Sequence, residues 1–361
     1  MIRHYGENIR LSIQGASHAP AIEMTLEGIP QGLDVDFKKL QAFMDRRAPG
    51  HNQWSSSRKE SDIPHFLSGI TDGKTNGDHI QAFIYNQNVH RNDYQEIKHI
   101  PRPGHADYAA WMKYGLDFDM SGGGPFSGRM TAAICIAGGM CKQWLEALGI
   151  RIGAHIAWIG DIEDHKFDPI EPDLDAIATD FPVINRASGH QMLEKIKHVQ
   201  ENGDSIGGIV ECAIVGMPTG IGGELFGGIE GKISFGMYSI PGVKGVDFGL
   251  GFANTYHNGS ETNDQFYLEN GKIRTQTNHC GGILGGISNG MPILFRVAIK
   301  PTPSIAKPQK SINLQTMAEV TLHIKGRHDP CIIPRAVPVV EAMAALTIYD
   351  MILEYSSARI I

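Results

Sequence analysis

Gly15-Ala16-Ser17-His18-Ala19-Pro20-Ala21-Ile22-Glu23-Met24-Thr25-Leu26-Glu27-Gly28-Ile29-Pro30-Gln31-Gly32 is the stretch that decides the fold, because the chain says it twice. The second statement is Gly203-Asp204-Ser205-Ile206-Gly207-Gly208-Ile209-Val210-Glu211-Cys212-Ala213-Ile214-Val215-Gly216-Met217-Pro218-Thr219-Gly220, a constant 188 residues later. A second matched pair follows in the same order. Gly69-Ile70 through Gly73, Asn76-Gly77 and Ile80 matches Gly282-Ile283 through Gly286, Asn289-Gly290 and Ile293, 213 residues on. Two ordered matches imply an internal duplication.

Each half reads the same way outward from that stretch. An alternating strand, with Ile22, Met24 and Leu26 in one half and Ile209, Ala213 and Val215 in the other, ends in a Gly-x-Pro-x-Gly turn. A helical pattern follows in the first half, from Val35 to Arg47. A hairpin pair turning on Asn-Gly comes next. A long helix closes each half, Arg129 to Leu148 and Arg335 to Glu354, with apolar residues at intervals of three and four. The fold class expected is α+β, an internally duplicated sandwich of sheets and helices. The expected layout is one domain over 1–361, with pseudo-repeats at about 1–150 and 200–355. A connector at about 150–200 carries a helix around Met192 to Gln200.

Composition limits the partners. The 361 residues carry 32 Lys+Arg and 39 Asp+Glu, for a net charge of −7. An acidic chain is a poor match for nucleic acid, whose phosphates call for surplus Lys and Arg. No apolar run is free of charges over 18 residues, and the C-terminal apolar stretch with Glu341 and Asp350 reads as a core helix, so no membrane partner is expected. The first residues hold charges where a signal peptide needs an apolar core. Five cysteines without a C-x-x-C pair read as reduced thiols, and the expected location is the cytoplasm. Glycine, at 43 residues, is in excess and clusters where backbone must approach backbone or ligand.

The duplication separates fold from chemistry. His18 stands where the second half has Ile206, so it has either a structural reason or a functional one. Arg102-Pro103-Gly104-His105-Ala106-Asp107 sets a histidine on a Pro-Gly turn with a carboxylate two residues on, or merely an exposed loop. Gly122-Gly123-Gly124-Pro125-Phe126-Ser127-Gly128-Arg129 runs into a helix N-terminus near the surface, where free N–H groups and Arg129 suit an anion; a structural turn is the alternative. Its spacing fits neither a dinucleotide nor a P-loop fingerprint. Gly326-Arg327-His328-Asp329-Pro330 is a charged loop before the second long helix. Lys300-Pro301-Thr302-Pro303-Ser304 and Asp45-Arg46-Arg47 add cations. No metal-ligand spacing is present. The residues by themselves point to acid–base chemistry on a polyanionic small molecule.

With these motifs quoted, the chain closely resembles chorismate synthase over about residues 5 to 355. Gly15 to Pro30, Gly124 to Met140 and Arg327 to Met343 correspond to that family's signatures. The resemblance implies a β-α-β sandwich, a homotetramer and a redox-neutral 1,4-anti elimination. In that reaction 5-enolpyruvylshikimate 3-phosphate yields chorismate and phosphate, with reduced FMN required. An external flavin reductant linked to NADP would then be needed. By motif, His18 would protonate the flavin, His105 the departing phosphate, and Asp329 would assist removal of the ring proton. Arg47, Arg129 and Arg58 would hold substrate. Flavin contacts would come from Pro125, Phe126, Ser127, Pro241, Gly242, Gly285, Lys300, Pro301, Thr302, Pro303, Ser304 and Arg327. The usual Gly-Glu-Ser-His-Gly is here Gly15-Ala16-Ser17-His18-Ala19, and Gln53 replaces a common basic residue. Two other readings stay open. One is a related flavin-dependent lyase on another allylic phosphate; the other is a silent flavin- or anion-binding protein.

Overall fold

A computed structural model describes residues 4–50, 60–86, 98–324 and 329–358; Gln53, Arg58 and Arg327 lie outside the described residues. The first half supplies strands β1 (His4–Tyr5), β2 (Arg10–Gly15), β3 (Ala21–Glu27), β4 (His65–Ser68), β5 (Ile70–Thr71), β6 (Lys74–Thr75) and β7 (Ile80–Tyr85). Five of them form an antiparallel sheet in the order β1-β2-β3-β7-β4. The second half supplies β8 (Arg151–Ile159), β9 (Ile162–Glu163), β10 (Gly208–Val215) and β11 (Val243–Phe248). After the hairpins β12 (Phe266–Glu269) with β13 (Lys272–Thr275) and β14 (Ile283–Leu284) with β15 (Ile287–Ser288) comes β16 (Ile293–Ile299). Its sheet runs β11-β16-β10-β8-β9. The stretch at about 150–200, expected as a connector, thus contributes β8 to this sheet.

Helices fill the middle. They are α1 (Phe37–Arg47), α2 (Asp107–Tyr114), α3 (Thr131–Ala147), α4 (Arg186–Glu201), α5 (Ile229–Tyr238), the single turn α6 (Gly259–Thr262) and α7 (Ile333–Ala358). The pair α3 and α7 packs together, with α3 against β3 and β7 and α7 against β8 and β10. The two helices advance in step: Cys135 Sγ meets the Pro338 carbonyl, and a Cβ on Gly138 would stand 2.3 Å from the Ala342 carbonyl oxygen. They are therefore parallel, and both N-termini open at the same end of the molecule. Helix α7 is long and apolar enough to cross a bilayer, yet 94% of that window is buried between the sheets, as a core helix requires.

The duplication is visible in hydrogen bonds. Thr75 Oγ1 donates to Pro30 O at 2.7 Å and accepts from Leu33 N at 2.9 Å. Ser288 Oγ donates to Pro218 O at 2.6 Å and accepts from Ile221 N at 2.9 Å. Each residue of the second set sits 188 or 213 after its counterpart, as the sequence offsets require.

Two expectations need correction. The small hairpins turn on Asp72-Gly73 and Gly285-Gly286, all four with φ between 51° and 88°, which a two-residue turn of this hand demands. The Asn-Gly pairs come later and lead into β7 and β16. Second, the core-facing residues of β10 are Val210, Cys212 and Ile214, matching Ile22, Met24 and Leu26. Ala213, on the face that had been read as the alternating one, joins Phe167 and Leu294 beneath the segment 167–184. That segment covers the outer face of the second sheet, so β10 is buried on both faces, Glu211 included, and alternation fails as a guide.

The chain ends are tied together. Asp350 on α7 accepts the N–H groups of Glu7, Asn8 and Ile9 at 3.0, 2.7 and 2.8 Å. All five cysteines are free thiols, four of them buried. Burial pushes the Cys135 and Cys331 thiols up to about 12, so they are poor nucleophiles.

Candidate active site

The glycine turn before α3 is shaped to accept two histidines. Gly122, Gly123 and Gly124 have φ of 60°, 94° and 52°, the left-handed region that favours glycine. A Cβ on Gly122 would lie 2.2 Å from His18 Cε1, and one on Gly123 would lie 3.6 Å from His105 Cε1. His18 is buried, with its Nδ1 3.0 Å from Ser17 Oγ, and Ser17 Oγ donates to Ser121 O. Ile206, at the equivalent place in the second half, packs on the core. The imidazole is therefore not a requirement of the fold.

The His105 loop is braced from three sides. Arg102 grips Asp107 with two hydrogen bonds of 2.7 Å and reaches Met120 O. The carboxylate beside His105 thus serves the loop rather than the imidazole. Lys300 Nζ donates to Gly104 O at 2.5 Å, and Ser311 Oγ to Pro101 O at 2.5 Å. Ser311 lies on a further hairpin, β17 (Gln309–Asn313) with β18 (Ala318–Leu322).

At the shared N-terminal end of α3 and α7 sits a cluster of arginines. Arg47 is 1% exposed, and none of its three guanidinium nitrogens has a hydrogen-bond partner among the described residues. Asp62 Oδ2 lies 3.3 Å from its Nε. Burial, opposed by Asp62 and reinforced by Arg129 and Arg335, pushes the Arg47 guanidinium down to about 10. Leaving such a group unsatisfied is costly, unless an anionic ligand completes it. Arg129 donates to Asp62 Oδ1 and, at 2.9 Å, to Asn86 Oδ1, with Glu60 3.8 Å away. It is 5% exposed, which corrects the expectation that it begins a helix near the surface. Burial raises the Asp62 carboxyl, but Arg47 and Arg129 outweigh burial and hold it below the usual carboxylate range. Helix N-termini add partial positive charge at the same end.

Asp329 joins this cluster through Arg335. Arg335 Nη1 donates to Asp329 Oδ2 at 2.5 Å, while its Nε donates to Arg47 O at 2.9 Å. Arg335, Asp62, Glu60 and Asn86 were not picked out from the sequence. Apart from the Arg335–Asp329 pair, six residues apart, their partners lie far off in sequence, and no local spacing announces them. Asn86 alone had a signal: its 213-offset counterpart is Ile299, a polar-to-apolar difference like that of His18 and Ile206.

The expected cofactor segments divide. Lys300 N donates to Gly242 O at 2.9 Å, which sets Pro241-Gly242 beside Lys300 to Ser304. Ser205 Oγ donates to Thr302 O, and Ile206 N to Pro330 O, bringing Asp329 to the same end. A Cβ on Gly104 would stand 3.1 Å from Pro303 Cβ, so the His105 loop borders this segment. Ser127 caps the turn before α3, Pro125 lies within that turn, and Phe126 is 41% exposed beside it. Ser304 is buried, and Pro301 comes two residues after β16. Gly285 is elsewhere. Its hairpin adjoins the Ile293 end of β16, whereas Lys300 follows the Ile299 end, and seven strand residues span about 20 Å. One chain does not bring Gly285 to the other candidates.

The remaining segments fit a flavin mononucleotide. Thr302 Oγ1 is buried without a hydrogen-bond partner among the described residues. Burial, with the like charge of Lys244, lowers the Lys300 ammonium pKa. The arginine cluster separately suits a substrate with several anionic groups.

Comparison with known proteins gives the family. The family model described as chorismate synthase matches residues 9–353. A chorismate synthase of Lancefieldella parvula is 41% identical, over 99% of this chain and 98% of its own length. One from Korarchaeum cryptofilum is 43% identical, over 97% of both. A solved structure titled as a crystal structure of chorismate synthase superposes with a TM-score of 0.76 at 28% identity, covering 98% of this chain and 93% of that one.

Proposed function

The chain belongs to the chorismate synthase family, and from that membership we propose that it is a lyase performing the 1,4-anti elimination of phosphate from 5-enolpyruvylshikimate 3-phosphate. The observation that carries the reading is the placement of His18 and His105 on either side of one glycine turn, beside an arginine cluster in which the Arg47 guanidinium has no hydrogen-bond partner among the described residues.

Two bonds break in such a reaction: a C–O bond to phosphate and a C–H bond on the ring. Arg47 and Arg129 bind the anionic groups and orient the substrate. His105, fixed by the Arg102–Asp107 brace, holds a proton for the departing phosphate. An imidazole is suited to give up a proton near neutral pH. His18, oriented by Ser17, carries a second proton toward the cofactor side. Asp329, oriented by Arg335, assists removal of the ring proton. Pro125, Phe126, Ser127, Pro241, Gly242 and the segment Lys300 to Ser304 would hold reduced FMN. When bound, it would supply redox-neutral electron chemistry to the elimination. Ala16 contributes only its backbone carbonyl, accepting from Asn86, so the loss of the customary glutamate leaves the His18 loop braced.

A homotetramer, a cytoplasmic location and an external reductant belong to the same proposal. Its test is an anaerobic assay with dithionite-reduced FMN and 5-enolpyruvylshikimate 3-phosphate. Chorismate formation supports it. Tight FMN binding without turnover would overturn it in favour of a silent flavin-binding protein.

A further inference from the structure

We propose that Asn86 is a positioning residue that locks the His18 loop and Arg129 into one geometry, an inference that rests on the function proposed above. Asn86 is the first residue after β7. Its Nδ2 donates to Ala16 O at 3.1 Å and Ala19 O at 2.7 Å, the two carbonyls that bracket Ser17 and His18. Its Oδ1 accepts from Arg129 Nε at 2.9 Å. Its backbone N–H donates to Pro20 O at 3.0 Å. The amide can face only one way. Turned over, it would set its NH2 against the Arg129 N–H and its oxygen against two carbonyls.

One small side chain thereby joins a proton carrier to a substrate clamp. The duplication supplies an independent argument. In the second half the counterparts of His18 and Asn86 are Ile206 and Ile299, both apolar. Ile299 serves as an ordinary buried strand residue. The β-strand end needs no amide for folding there, so the amide in the first half accompanies the histidine.

Linked groups tolerate little displacement: a shift of about 1 Å can cost about 10²-fold in rate. Asn86→Asp keeps an acceptor for Arg129 but turns a carboxylate oxygen toward the Ala16 and Ala19 carbonyls. Asn86→Leu removes both connections at similar size. Steady-state kinetics under anaerobic conditions with reduced FMN should show kcat of Asn86→Asp down about 10²-fold with KM nearly unchanged. Asn86→Leu should lose kcat and also raise KM about tenfold or more. A second measurement needs neither cofactor nor turnover. In protein with 15N-labelled histidine, the His18 ring resonances and titration midpoint should move in Asn86→Asp, while those of His105 stay put. An unmoved His18 signal in Asn86→Asp overturns the proposal, as does parallel loss of kcat and KM tracking a drop in Tm in both variants. If the wild type forms no chorismate, the proposed function falls, and the histidine spectra alone uphold or overturn the role of Asn86.

Discussion

The imidazole of His18 lies so tightly over Gly122 that a Cβ there would stand 2.2 Å from His18 Cε1 and 2.7 Å from Ser17 Oγ. Gly122 also has φ of 60°. Gly122→Ala therefore strains the backbone and displaces the histidine together. The expected result is loss of about 1–3 kcal/mol of stability and most turnover. Gly128→Ala is the control, because among the described residues no atom beyond its chain neighbours lies within 4 Å of its Cβ position. Thermal melts and an activity assay on both variants check this; equal effects would remove the steric argument.

His18→Ala and His105→Ala should each lower turnover at least about tenfold, the lower range for a lost acid–base group being about 10²-fold. Binding of oxidised FMN, followed by its fluorescence, should remain. If His105 acts protonated, its loss removes the alkaline limb of the pH–rate profile. Unchanged rates in both variants would dismiss the assigned roles.

Arg129→Ala cannot be a clean binding mutant. It would strip Asp62 of a direct partner inside a buried cluster, and removing one member of such a pair costs about 3–5 kcal/mol. Because Asp62 also faces Arg47, the check is a double-mutant cycle: Arg129→Ala and Asp62→Ala together should cost less than the sum of the two single losses. Strictly additive losses would refute the pairing.

Arg335→Lys retains charge but cannot span Asp329 Oδ2 and Arg47 O with a fixed fork. A fall in kcat of about tenfold or more with a modest KM change is expected, since a displaced proton acceptor slows chemistry rather than binding. Wild-type kcat in Arg335→Lys would show that Asp329 is oriented by something else.

His155 gives a pH signature away from the site. Its Nε2 is 2.9 Å from Glu211 and its Nδ1 is 3.3 Å from Asp164, all three buried. Burial lowers the imidazole pKa, but hydrogen bonds to Asp164 and Glu211 outweigh burial and raise it. A raised histidine stabilises fully below the unfolded value of about 6.5 and loses that contribution as pH climbs through the folded value. Burial likewise raises Asp164, but the hydrogen bond to His155 and those from Ile184 N and Asn185 N outweigh it and lower the carboxyl. Its contribution is present above about 3.9 and is lost as pH falls below that. Denaturant titrations should therefore show wild type losing stability relative to His155→Gln above about pH 6.5. A constant difference from pH 5 to 9 would contradict the linkage.

What the sequence revealed followed range. The repeat, the glycine turn and both histidines were legible because each is a local pattern. The face of β10 was misread because segment 167–184, distant in sequence, covers the side opposite the core. Asp62 and Arg335 escaped because their bonds to Arg129 and to Arg47 O form only on folding, and Asn86, though its counterpart is apolar, because its bonds to Arg129 and the His18 loop do too. Arg129 was legible in identity but not in burial, since a helix start reads as surface until the two long helices are known to share an end.

The anchorage of residues 7–9 on Asp350 reaches back to how the molecule is made. Residues 7–9 leave the ribosome about 340 residues before their anchor does. Until Asp350 emerges those amides must remain hydrated, and the seam then closes in a long-range step. Damage at Asp350 would consequently be felt first as a failure of maturation, in the yield of finished protein, before any defect in the chemistry of a molecule that had already folded.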